Sequence, residues 1–187
     1  DVIALTLKSL GYSANSEDPA ALEAALERLR VLKPHVLRLE DFDPVDSAAV
    51  MSSGQAVIAM GFARDVLQGR ERNAQIDYVM PREGALFWGD NFVVPASSSH
   101  QGAAQELIDF LLRPDIGARI ANENRYATAN EAALPLVDPA IRDDPVVFPP
   151  SEDMRRSELL LPLSPDGERR YAELWERLMK DGAAESH

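Results

Sequence analysis

The order of apolar runs along the chain predicts an α/β fold with a mostly parallel sheet. Three observations carry that expectation. Amphipathic helical stretches alternate with short apolar runs; the run Ala56-Val57-Ile58-Ala59-Met60 is continuously apolar between Gly54 and Gly61; and no internal repeat interrupts the alternation. A continuous apolar run suits a strand covered on both faces, as in a parallel sheet flanked by helices.

The chain opens inside a helical pattern. Val2, Leu5 and Ser9 share one face, Ile3, Leu7 and Leu10 broaden it, and Gly11 is a natural stop. A helix met without a preceding cap implies that an upstream part of the protein is missing. Asp18 then caps a second helix with Pro19 in its first turn, and Leu22, Leu26, Leu29 and Leu32 run down one side until Pro34 ends it. An extended piece over Val36 to Leu39 leads into an Asp- and Pro-rich loop, followed by a short helix from Ser47 to Met51. The strand at Ala56–Met60 comes next, then a helix from about Ala63 to Gln68.

Ile76 to Met80 reads as a strand broken by Pro81, and Phe92 to Pro95 as another. A Ser-rich loop, Ala96 to Ser99, enters a helix with Ala104, Leu107, Ile108, Leu111 and Leu112 on its apolar side, closed by Arg113-Pro114. Helices are also predicted over Asp115–Asn122 and Asn130–Leu136. The segment from Asp138 to Pro150 holds four prolines and reads as a crossing segment without a regular element. The tail from Asp166 to Lys180 is a charged helix with Tyr171, Leu174, Trp175 and Leu178 on its apolar side.

Composition narrows the function classes. The 187 residues are 45% hydrophobic, enough for one sizeable core or two smaller lobes. With 19 basic against 31 acidic residues the net charge is -12, which opposes binding to nucleic acid or anionic lipid and attracts small cations, although an acidic surface also serves solubility. There is no cysteine, so no disulfide framework and no Cys-based zinc site. No apolar run approaches the roughly 20 residues that span a bilayer. No Gly-rich phosphate loop, nucleophile elbow or EF-hand-like array occurs, and His35, His100 and His187 stand far apart. Nothing points to catalysis, a cofactor or a metal.

What stands out is a set of aromatic and acidic residues near the ends of predicted strands. Phe62 and Asp65 follow the run VIAM, Trp88 and Asp90 lie in GALFWGDNF, and Tyr126 follows a helix. Ligands of open α/β sheets bind beyond the carboxyl ends of strands. An ammonium needs carboxylate acceptors, while aromatic faces accommodate both its charge and its methylene chain. Each residue also has a plainer reading: Phe62 and Trp88 as core, Asp65 as a complement to its helix dipole, and Asp90 as the partner of Arg82.

In LGYSANS, AMGFARDV, PREGALFWGDNFVVP, LIDFLLRPD, RYATANEAALPLVDPAIRDDPVVFPP and the final Trp-containing helix, the chain resembles the C-terminal half of the periplasmic substrate-binding proteins of bacterial polyamine ABC transporters. It is most similar to the putrescine-binding type. The colinear motifs cover essentially the whole chain. The resemblance implies a type II periplasmic-binding-protein fold with two lobes, of which this chain holds parts: residues 1–80 in the second lobe, 81–145 in the first, and 146–187 as return crossing and C-terminal helix. It implies no enzyme and no cofactor, but a periplasmic receptor whose partners are a polyamine, permease subunits and the missing N-terminal half of the same protein.

Carried over by position, Phe62 matches an aromatic that is usually tryptophan in the family, Asp65 the nearby acid of the putrescine type, and Trp88 and Asp90 the second box. Tyr126 matches a ligand-facing tyrosine, and Asp1 an acid that is glutamate in relatives. Leu160 falls where spermidine-type relatives have glutamine, which disfavours spermidine. Two alternatives remain at this level: a binding protein of the same fold for another cationic or polar solute, and an α/β enzyme.

Overall fold

The computed structural model describes residues 1–37 and 47–181. In chain order its helices are α1 (Val2–Ser9), α2 (Pro19–Leu32), α3 (Ser47–Ser52), α4 (Ala63–Arg72), α5 (Gln101–Leu111), α6 (Pro114–Asn124), α7 (Pro139–Arg142), α8 (Ser151–Arg156) and α9 (Pro165–Lys180). Two short strands, β1 (Leu86–Phe87) and β2 (Glu158–Leu159), pair in parallel, with Leu86 opposite Glu158 and Phe87 opposite Leu159. Short 3₁₀ helices follow α2 at Lys33–His35 and precede α7 at Glu131–Leu136. The predicted extended piece over Val36–Leu39 and the loop after it lie largely outside the described residues.

The chain divides into two compact units. The first comprises Asp1–Asp41, Met80–Trp88 and Ser151–His187. Its core is the contact of α1, α2 and α9, where Ile3, Leu7, Leu22, Leu26, Leu29, Leu174 and Leu178 are buried and Tyr171 and Trp175 pack against them. Leu22, Leu26 and Leu29 lie on the expected side of α2, but Leu32, expected with them, is 48% exposed, and α1 buries Ile3 and Leu7 while Ser9, on its other expected face, is exposed. Asp18 caps α2 by accepting from the Ala21 amide at 2.8 Å, and Ser164 caps α9 through the Gly167 amide at 3.0 Å. The Lys33 ammonium closes the other end of α9, donating to the carbonyls of Leu178 at 2.6 Å and Met179 at 3.2 Å, where the helix dipole favours a cation.

The second unit comprises Phe42–Val79 and Gly89–Pro150. Its core is slight and built from small residues: Ala118 and Ala121 of α6 against Ala133 and Val137, with Ile141 of α7 beside them. Asp138 accepts from the Ala140 amide at 2.8 Å and caps α7, so the proline-rich segment contains a short helix where none was expected. Pro139 sits in its first turn, where a missing amide hydrogen costs nothing.

The strands predicted at Ala56–Met60, Ile76–Met80 and Phe92–Pro95 do not form; among the described residues β1 and β2 are the only paired strands. The reason is visible in the exposures. Val57 is 87% exposed, Ile58 86% and Val93 83%, so these runs have neither a backbone ladder nor a covering layer among the described residues. A run of β-branched residues becomes a strand only when a neighbour pairs it.

Candidate functional site

Phe62, Asp65, Asp90 and Tyr126 belong to the second unit, and Asp1 and Trp88 to the first. The run after Gly61 is extended at Phe62, whose backbone turns there into α4. Asp65, three residues on, reaches back so that Oδ2 accepts from the Phe62 amide at 3.0 Å. That is half of a capping box, and it brings Phe62 and Asp65 together. Asp65 is thus a helix-start acid, as in its plainer reading, and the bond occupies one carboxylate oxygen.

Asp65 lines a cleft of about 210 Å³ with Met51, Val57, Ile58, Asp77 and Tyr78 among its walls. Burial pushes the Tyr78 phenol above its ordinary pKa. Asp77 already has a cation beside it: Arg70 of α4 donates to it, and the same guanidinium donates to Asp144 at 3.2 Å. The hydrogen bond from Arg70, with a second from the Tyr78 amide, holds the Asp77 carboxyl below the usual carboxylate range. Asp77 and Tyr78 went unremarked in the sequence, although IDYV repeats the acid-and-ring composition of FWGDNF. A second opening of about 650 Å³ is lined by Leu112, Ala129, Asn130, Glu131 and Ala132 and includes none of the six candidates.

Tyr126 is 42% exposed and follows Arg125, whose left-handed conformation, φ 56°, ends α6. The Arg125 guanidinium pairs with Glu71 of α4 at 2.5 Å. That contact ties the end of α6, and so the start of RYATAN, to the helix that begins with Phe62 and Asp65. Asn130 completes the motif as a cap: its Oδ1 accepts from the Ala132 amide at 3.1 Å while its Nδ2 donates to the Leu112 carbonyl at 2.7 Å.

Trp88 follows β1 directly and is 49% exposed, so it is not the buried core ring of the alternative reading. Asp90 is exposed, and no Lys or Arg pairs with it among the described residues. Its negative charge is thus available to a solute. Asp1 occupies the capping position of α1, where its carbonyl accepts from the Leu5 amide at 2.9 Å, while its side chain makes no capping bond. No group of three or more His, Asp or Glu residues is arranged to hold a metal among the described residues. The chemistry offered is that of rings and carboxylates, which suits a soft organic cation.

Comparison with known proteins shows the family. The sequence profile of the bacterial extracellular solute-binding proteins matches residues 1–149. The chain is 33% identical over 158 residues to the spermidine/putrescine-binding periplasmic protein of Escherichia coli, covering 84% of this chain and 44% of that protein. It is 32% identical over 184 residues to the putrescine/agmatine-binding protein of Pseudomonas aeruginosa, covering 95% and 49%. The solved structure of the spermidine/putrescine ABC transporter substrate-binding protein PotD from Streptococcus pneumoniae superposes with a TM-score of 0.78 at 28% identity, covering 96% of this chain and 55% of that one. The fold is thus a partial α/β fold of the two-lobed periplasmic binding proteins, and the chain spans about half the length of the curated relatives it matches.

Proposed function

The chain belongs to the bacterial extracellular solute-binding protein family, and from that premise we propose that it acts in a polyamine receptor of an ABC transporter, with putrescine as cargo. In this reading Asp65 and Asp90, with Asp1, accept hydrogen bonds from the ammonium groups, and Phe62, Trp88 and Tyr126 wall the methylene chain. The observation that carries it is Asp90, an exposed carboxylate with no paired cation among the described residues, two positions from a half-exposed tryptophan. Leu160 in place of a glutamine favours the diamine over the longer spermidine.

Release of cargo then goes to permease subunits at the membrane, and the working location is the periplasm, as the name of the Escherichia coli relative states for that protein. The relatives are solute-binding proteins and not enzymes, and we assign no catalytic residue. We assign residues 1–80 to the second lobe, 81–145 to the first, and 146–187 to the return crossing and last helix. An N-terminal half of the same protein completes the site; the uncovered apolar runs at Val57-Ile58 and Val93 support this, as does the span of about half the relatives' length. Half a site holds an amine weakly, because surface carboxylates in water gain little from a solvated cation.

The test is a ligand series on this chain joined to its N-terminal half, read by tryptophan fluorescence. Putrescine should bind at micromolar concentration and 1,4-butanediol, which keeps the four-carbon chain without charge, should not. An equal response to the diol, or no response to any amine, overturns the proposal.

A further inference from the structure

The motif LGYSANS makes none of the proposed amine contacts, yet it surrounds one carboxylate with donors. Glu158 Oε1 accepts from Lys8 Nζ at 2.7 Å, and Oε2 accepts from Ser13 Oγ at 2.6 Å and from the Ala14 amide at 3.0 Å. The Lys8 side chain is only 7% exposed. A buried ammonium persists only where acceptors replace water, and its second acceptor is the Arg156 carbonyl at 3.0 Å. Asn15 adds a strand-like contact: Nδ2 donates to the Leu159 carbonyl at 2.9 Å while Oδ1 accepts from the Leu161 amide at 2.8 Å. One carboxamide thereby occupies the edge of β2 that faces away from β1.

The other edge carries β1. The Glu158 amide donates to the Ala85 carbonyl at 3.1 Å, the Leu160 amide to the Phe87 carbonyl at 2.9 Å, and the Ala85 amide to Ser157 Oγ at 3.0 Å. Gly84 fits the turn before β1 with φ +86°, and a Cβ there would lie 2.1 Å from the Arg156 oxygen, the same carbonyl that Lys8 holds. No slack remains in this register. The next residue after the pinned Phe87 is Trp88.

We propose that Lys8 and the Ser13-Ala14-Asn15 loop form a clasp on β2, and that Glu158, through the β2–β1 pairing, is a positioning residue for the Trp88 ring. Its consequence for affinity rests on the receptor reading above. Without the carboxylate, the Ser13 hydroxyl and the Ala14 amide lose their acceptor, the buried Lys8 ammonium keeps only the Arg156 carbonyl, and β2 loses its fixed place beside β1. A ring that must lie over a methylene chain is held only as well as the backbone that carries it.

The quenching experiment uses this chain in a Trp175→Phe background, in which Trp88 is the one tryptophan left; the titration uses the same chain joined to its N-terminal half. Acrylamide quenching of Trp88 is measured without ligand, then putrescine is titrated, in the parent and in Glu158→Gln, with helical content followed by circular dichroism. Expected are unchanged helical content, stronger quenching of Trp88, and putrescine affinity lower by about tenfold. Unchanged quenching overturns the positioning role, whatever happens to affinity. If Glu158→Gln does not fold, Ser13→Ala, which removes one donor, makes the same comparison and decides by the same quenching criterion. If the parent binds neither putrescine nor spermidine, the receptor reading falls, while the ligand-free quenching still decides the clasp.

Discussion

The Lys8 ammonium meets the Glu158 carboxylate at 2.7 Å across 150 residues of chain. The contact joins α1 to β2 within one compact unit, and it has a pH signature. Burial works to raise the Glu158 carboxyl, but the hydrogen bonds from Lys8, Ser13 and the Ala14 amide outweigh it and leave the pKa below the ordinary glutamate value. A depressed folded-state pKa gives stability that is present above the unfolded value of about 4.3 and lost as pH falls through the folded value. Denaturant melts of the parent and Glu158→Gln should therefore differ by about 1 kcal/mol or more at pH 7 and converge in acid. The other carboxylates titrate in both proteins, so parallel pH profiles would contradict the pairing.

Gly84 and Gly11 give a paired test of backbone geometry. Both have positive φ, +86° and +83°, but an added Cβ meets the Arg156 carbonyl at Gly84 and nothing within 4 Å at Gly11. Gly11→Ala should cost about 1 kcal/mol, the strain of the conformation alone. Gly84→Ala should cost at least about 3 kcal/mol in thermal or chemical denaturation, since backbone must move as well. Equal costs would mean that the turn before β1 is not pressed against Arg156.

Asp65 combines a cap with a proposed ligand carboxylate, and two substitutions separate them. Asp65→Asn keeps an oxygen for the Phe62 amide and removes the charge; Asp65→Ala removes both. The asparagine variant should lose less than about 0.5 kcal/mol of stability and the alanine variant about 1 kcal/mol. Both should bind putrescine more weakly to a similar degree in equilibrium titrations. Normal binding by the asparagine variant would reduce Asp65 to a cap.

Leu26 and Ile58 contrast a covered with an uncovered apolar residue. Leu26 is fully buried between α1, α2 and α9, and Leu26→Ala should cost about 2–5 kcal/mol wherever it is measured. Ile58 is exposed here, so Ile58→Ala should be nearly neutral in this chain alone. Joined to the N-terminal half, the same change should cost at least about 2 kcal/mol in denaturant melts, because a covering layer is then present. A neutral effect in both contexts would remove the support that Ile58 gives to a covering half.

The helices were legible because their signals are local. Asp18-Pro19 and the leucines at 22, 26 and 29 specify α2 without reference to anything distant, and Gly11 and Gly54 adopt the positive φ of stops. The runs around Val57, Val79 and Val93 read as strands because their residue types suit a covered sheet, but a strand also needs a neighbour, and none pairs with them among the described residues. Trp88 and Asp90 stand out in the sequence as a ring and a carboxylate, and both are exposed; their contact with an amine is a proposal. Asp65's bond to the Phe62 amide was foreseeable only as a helix-start preference. The clasp on Glu158 was not legible, since its donors at 8, 13 and 14 lie far from it in sequence and no periodicity links them.

In the proposed receptor, Asp90 supplies a counter-charge to an ammonium. Isothermal titration of putrescine into the protein with its N-terminal half, and into Asp90→Asn of equal thermal stability, tests it most directly. Micromolar binding by the parent and a loss of at least about tenfold in the variant are expected. Equal affinity in the two proteins, or no heat from putrescine in the parent, would contradict it.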